Sequence, residues 1–165
     1  TGALAELAVA GEPLLRARLA AEGDHAWLRQ FARLRRAGLL LLDMRALLKE
    51  ILAGAGGDFL NPVSTTHDTD GEGFGLLQVA RGALGHWVSI RGGRIERYQI
   101  VSPTTWNASP RDGLGRPGHW EETLVGTPVA DPDDPVEVGH IVRAHDPCLV
   151  CSVHFSGSGR RLRVG

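Results

Sequence analysis

His86-Trp87-Val88-Ser89-Ile90, Arg91-Gly92-Gly93-Arg94 and Ile95-Glu96-Arg97-Tyr98-Gln99-Ile100-Val101 run consecutively through the middle of the chain. The flanking pieces read as strands and the glycine pair as the turn between them, with Glu96, Tyr98 and Ile100 on one face. Leu76 to Ala80 reads as a further strand just upstream. Working back toward the start, the period changes to that of a helix. Leu28, Phe31, Leu34, Ala37, Leu41, Leu48 and Leu52 recur at three- and four-residue steps, with Met44 close to the stripe and Arg29, Arg33, Arg36, Asp43, Lys49 and Glu50 as its polar complement. Asp24 is the expected cap, and Gly54, Gly56 and Gly57 the expected stop after about Ala53. Such a helix would span on the order of 45 Å. A shorter helix is expected from about Gly2 to Ala21, interrupted near Pro13.

Working forward, Ser102 to Pro135 is rich in Pro, Gly, Thr and Asp, which predicts ordered loops with short helical pieces. Pro132-Asp133-Asp134-Pro135 is a turn before a short helix from about Val136 to Arg143. The class is therefore α+β: long helices of a partial helical bundle, a small antiparallel β-hairpin region, and ordered loops. Three segments are expected: a helical bundle segment over 1–57, a C-terminal region with the hairpin and the cysteine motif over 58–154, and a short tail over 155–165.

Composition narrows the function. The 165 residues are 42% hydrophobic and 22% charged, which is globular rather than disordered usage. With 18 basic against 19 acidic residues the net charge is -1, which argues against a nucleic-acid binder. The longest apolar run, Gly38 to Leu42, is far too short to span a bilayer, and no secretory leader opens the chain. The two cysteines are too few for a disulfide scaffold, and they sit in one C-x-x-C, a spacing suited to metal or redox chemistry.

The chemical focus is Asp146-Pro147-Cys148-Leu149-Val150-Cys151-Ser152-Val153-His154. Thiol, thiol and imidazole follow at three-residue steps, which on a helical turn puts them on one side. Thiolates are soft ligands for nickel, iron, zinc or copper(I). With Pro147 at a first helical turn and Asp146 as cap, the thiols would lie near a helix N-terminus, where thiolate is favoured. Spacing alone leaves three readings open: a metal site, a redox dithiol, or buried core cysteines. Two more segments flank the hairpin. Arg81-Gly82-Ala83-Leu84-Gly85-His86-Trp87 enters it, and Ser102-Pro103-Thr104-Thr105-Trp106-Asn107 leaves it. Their arginine and hydroxyl donors suit polar diatomic or anionic ligands.

Taken together, Ala80 to Trp87, Tyr98 to Asp112, Glu122 to Pro128 and Asp146 to His154 resemble the C-terminal half of the large, nickel-bearing subunit of [NiFe]-hydrogenases. The D-P-C-x-x-C-x-x-H run is highly specific to that family. The resemblance implies that Cys148 and Cys151 are two of four nickel thiolates in a Ni–Fe(CN)2(CO) centre. It implies that Arg81 overhangs the open coordination position, that Asp146 lies beside it, and that Pro103 and Thr104 line the carbonyl and cyanide ligands of iron. His154 and the Ile100 carbonyl would hold a magnesium-type ion (Mg2+ or Fe2+). The implied reaction is reversible heterolytic oxidation of H2 to protons and electrons, with electrons leaving through an iron–sulfur small subunit.

The same resemblance implies further partners: the N-terminal half of the large subunit if this is a fragment, maturation factors, and a C-terminal endopeptidase acting after His154. A second C-x-x-C and an N-terminal glutamate expected for the family are not in this chain. Gln78-Val79-Ala80 stands where Glu-Ala-Pro is usual, and His145 where an aromatic often precedes Asp-Pro-Cys. An accessory, maturation or H2-sensing homologue is the alternative, and a self-contained zinc or dithiol domain a third. The expected location is cytoplasmic, or membrane-associated through partner subunits.

Overall fold

The computed structural model describes residues 1–54, 70–148, 153–157 and 160–164. Three helices open the chain: α1 (Ala3–Val9), α2 (Pro13–Glu22) and α3 (Ala26–Leu52). Pro13 starts α2, where a missing N–H costs nothing, and the Glu12 carboxylate accepts from the Leu15 N–H at 2.8 Å. The expected break near Pro13 is thus a cap followed by a new helix. The long helix is capped one residue later than the expected Asp24. His25 takes the capping position, its Nδ1 accepting from the Leu28 N–H at 3.4 Å, while Asp24 turns away to pair with Arg29.

The core sits where these helices meet. Ala3, Leu4 and Leu7 of α1, Leu15 of α2, and Leu28 and Ala32 of α3 form one buried cluster, with Leu19, Phe31 and Leu39 packed against it. Leu15 and Leu28 are fully buried, which stabilises by about 1.5–3 kcal/mol each. At its margin Trp27 and Phe31 stack with centroids 5.3 Å apart, and the Arg18 guanidinium lies over both rings.

The expected hairpin is part of a three-stranded antiparallel meander, β1 (Gly71–Val79), β2 (Gly82–Arg91) and β3 (Arg94–Val101), in the order β1-β2-β3. β1 begins upstream of the expected Leu76, because Gly71 to Gly75 pair with Ile90 to His86. Glycine-rich sequence has weak strand propensity. Cross-strand pairing, anchored by the Asp70 carboxylate accepting from the Gly92 N–H at 2.6 Å, makes the strand. Gly85 is required by packing: a Cβ there would run into the Trp87 ring.

After β3 come α4 (Pro103–Asn107), α5 (His119–Leu124) and α6 (Val136–Ala144), short helices among loops as expected. Ser102 Oγ caps α4 by accepting from the Thr105 N–H at 3.3 Å. α4 packs on β2, and α6 packs on α3 and α5. Two further strands, β4 (Val153–Gly157) and β5 (Arg160–Val164), form a separate antiparallel pair, with His154 opposite Arg163 and Phe155 opposite Leu162. Among the described residues, no helix is long and apolar enough to cross a membrane.

Candidate functional site

Arg81 occupies the tight turn between β1 and β2, where Val79 pairs with Gly82. The turn needs glycine next to the arginine, since Gly82 holds φ 133° and its missing Cβ faces the backbone nitrogen of Gly2 at 2.9 Å. The Arg-Gly pair thus aims the guanidinium out of the sheet end while the N-terminal segment closes over the turn. Asp146 reaches the same place from α6. His145 caps that helix, and Asp146 follows in the left-handed region at φ 55°. Arg81 Nε and Asp146 Oδ1 stand 3.8 Å apart, each side chain about one-third exposed (35% and 34%). Thr1, Arg29, Arg33 and His145 line the same cleft.

No helix opens at Asp146, contrary to the expectation that Pro147 begins one. The left-handed residue ends α6, and Pro147 and Cys148 continue without helical structure. The three-residue spacing therefore does not gather Cys148 and His154 on one helical side, because His154 lies in the extended β4. Cys148 is a half-buried free thiol. Cys151, and the Leu149 to Ser152 stretch around it, lie outside the described residues.

The other candidates sit near the end of the meander. Ile100 is in β3 opposite His86, and its carbonyl accepts from Gln99 Nε2 at 3.0 Å. Pro103 is buried at the first turn of α4, and Thr104, half-buried, follows it. The structure brings Arg81 and Asp146 together directly. It places Pro103 and Thr104 on the helix that packs against β2, the strand that leaves the Arg81 turn.

Reading the sequence missed the supports. Arg29 and Arg33, counted with the solvent-facing complement of α3, point instead at its neighbours. Arg29 pairs with Asp24 and meets His119 Nε2 at 3.2 Å, and Arg33 Nη1 donates to the Ala144 carbonyl at 2.8 Å. Their i, i+4 spacing, one step from the buried Leu28 and Ala32, is the signal that could have placed them inward. His145 was noted only as a departure. It is buried, with Nδ1 2.9 Å from the Ile141 carbonyl and His119 and Trp120 packed on its ring. Burial holds its pKa at about 4, so the ring is neutral near pH 7 and Nδ1 carries the donated proton.

Arg81 Nε is itself buried without a hydrogen-bond acceptor. An orphaned cationic donor at a cleft, beside the Asp146 that precedes Cys148 by two residues, is a setting that an anionic group would satisfy. Among the described residues Cys148 is the one thiol and no cluster of three or more ligating side chains occurs, so a soft-metal centre here would need ligands from outside them.

These features meet in one family. Residues 21–154 match the family model described as nickel-dependent hydrogenase, and the chain belongs to that family. Its relatives are large subunits. The uptake hydrogenase large subunit of Rubrivivax gelatinosus is 43% identical over 129 residues, which is 75% of this chain and 21% of that protein. The Hydrogenase-1 large chain of Escherichia coli (strain K12) is 49% identical over 92 residues, 56% of this chain and 15% of that one. Among solved structures, the Ni-Fe-Se hydrogenase from D. vulgaris Hildenborough in the reduced state superposes with a TM-score of 0.68 at 39% identity, covering 75% of this chain and 25% of that chain. The chain thus spans about a fifth of the length of the curated relatives it matches.

Proposed function

We propose that this chain is the C-terminal part of a [NiFe]-hydrogenase large subunit, working with the rest of that subunit and an iron–sulfur small subunit. Cys148 and Cys151 would supply two of the nickel thiolates, and His154 with the Ile100 carbonyl would hold a magnesium-type ion. When bound, the Ni–Fe centre with its CN and CO ligands supplies heterolytic oxidation of H2.

The chain's own residues act around it. Arg81 presents a guanidinium to anionic ligands and to polarisable H2, and the Asp146 carboxylate faces it across 3.8 Å. Thr104 donates a hydroxyl hydrogen bond, and the buried Pro103 excludes water beside it. Maturation would insert nickel before an endopeptidase removes residues 155–165. The segment boundaries at 57 and 154 belong to the same reading. The observation that carries it is the Arg81–Asp146 pair at the mouth of the Asp-Pro-Cys turn, with Arg81 Nε buried and unsatisfied. A zinc or dithiol site requires neither residue.

The test is metal content in the assembled protein. Nickel at one per large subunit is expected in the wild type, with a chain ending at His154 by intact mass. Cys148→Ser and Cys151→Ser should each reduce nickel at least tenfold. Wild-type nickel in either variant sinks the assignment, and a nickel-free wild type that keeps residues 155–165 points to an accessory homologue instead.

A further inference from the structure

The turn that carries Asp146 and Cys148 out of α6 is not held by the Arg81–Asp146 pair. At 3.8 Å, with both side chains about one-third exposed, that contact is too long and too solvated to fix a backbone. Local backbone bonds hold it only in part. Asp146 is the one non-glycine residue with positive φ among the described residues, at 55°. It also precedes Pro147, and a proline pushes the residue before it toward extended geometry.

The missing restraint comes from α3. The N–H groups of His145 and Asp146 are taken by the Val142 and Arg143 carbonyls, at 3.1 and 3.0 Å. The next carbonyl, that of Ala144, has no later helical N–H to meet. Arg33 Nη1 fills it from 111 residues away at 2.8 Å, placing a cation at the end of α6 where the helix dipole favours one. Arg33 also lines the cleft that holds Arg81 and Asp146.

We propose that Arg33 is a positioning residue for the candidate centre: its bond to the Ala144 carbonyl sets the turn that turns Asp146 toward Arg81 and fixes Cys148. The inference deepens the proposed hydrogenase reading and rests on it for the role of Cys148. Arg33 touches neither metal nor substrate; it acts through the backbone.

The experiment uses the full natural protein, purified from nickel-starved cells so that bound metal does not mask thiols. Alkylation of Cys148 by iodoacetamide is timed and located by peptide mass. Arg33→Met is expected to raise the Cys148 rate at least fivefold, with Arg33→Gln as substitute if it does not fold. Arg33→Lys, which keeps a charged donor, should stay within twofold of wild type. Arg36→Met removes a different α3 ion pair, that with Glu6 at 2.6 Å, and should leave the Cys148 rate unchanged.

An unchanged rate in Arg33→Met, or an equal rise in Arg36→Met, overturns the positioning role. Nickel content of the same variants, grown with nickel, separates the two ideas. A wild type that takes up no nickel defeats the hydrogenase reading, yet the alkylation contrast still decides the role of Arg33.

Discussion

The two ends of α3 lie in different surroundings. Toward its start, Leu28 and Ala32 are fully buried by α1 and α2. Leu34, off that face, is 73% exposed, and beyond Leu39 every face of the helix stands in solvent, with Leu42, in line with Leu28, 62% exposed and Leu48 55%. The difference teaches that periodicity tells which face of a helix is apolar, but not whether anything within the chain covers it. Packing energy is therefore concentrated at the proximal end, and that end also holds Arg29 and Arg33, the residues that reach α5 and α6.

Three measurements would break or sharpen this contrast. Leu28→Ala should cost about 2–5 kcal/mol in chemical unfolding, since it empties a sealed position. Leu48→Ala on the exposed half should change the stability of these 165 residues by less than about 0.5 kcal/mol. Equal losses at the two sites would mean that the distal half is covered after all.

Acid should weaken the proximal end through His145. Its folded pKa of about 4 lies below the ordinary 6.5 because burial disfavours the charged ring. Between those values the unfolded chain binds a proton that the folded chain does not. The stabilisation is therefore complete above about pH 6.5 and is lost as the pH falls toward 4, by roughly 2–3 kcal/mol. Unfolding curves at several pH values should show this slope, and His145→Phe should flatten it. A slope unchanged in the variant would assign the acid sensitivity elsewhere.

A smaller effect than those at Leu28 and His145 is expected at the α2 cap. Glu12→Ala removes the acceptor for the Leu15 N–H and the ion pair with Arg35, and should lower the unfolding midpoint measurably but less than Leu28→Ala does. The Leu15 N–H holds the Glu12 carboxyl below its ordinary range, so most of that difference should vanish in strong acid, where both proteins lack the carboxylate.

Much of the fold was legible in the sequence because local signals and tertiary pairing agree. The Arg91 to Arg94 turn, the break at Pro13, the short helix from Val136 and the long helix itself all rest on chemistry within a few residues, whereas the expected stripe fails at Leu34, 73% exposed, because the buried face runs through Leu28, Ala32 and Leu39. β1 was legible only in its Leu76 to Val79 half, because five residues of glycine-spaced sequence become a strand by pairing with β2. The cap at His25 was hidden because Asp24, the better capping residue by type, is drawn off by Arg29.

The site divided in the same way. Arg81 and Asp146 could be named from their motifs, and the structure brings them to one cleft. The absence of a helix at Pro147 could not be read, since Asp-Pro is an ordinary helix opening unless the aspartate already ends the helix before it. Arg33 was invisible because its acceptor, a main-chain carbonyl, leaves no trace in residue type.

The left-handed backbone at Asp146 makes shape and charge separable at one position. Most substitutions of a carboxylate disturb both, but glycine and asparagine are the residues most at ease at φ 55°. Either one lets the chain keep its course into Pro147 while the negative charge facing Arg81 disappears. Glycine even relieves the conformational cost that aspartate bears there. Evolution or an experimenter can thus vary the electrostatics beside Cys148 without redrawing the path of the polypeptide, a freedom that an ordinary helical or extended aspartate would not offer.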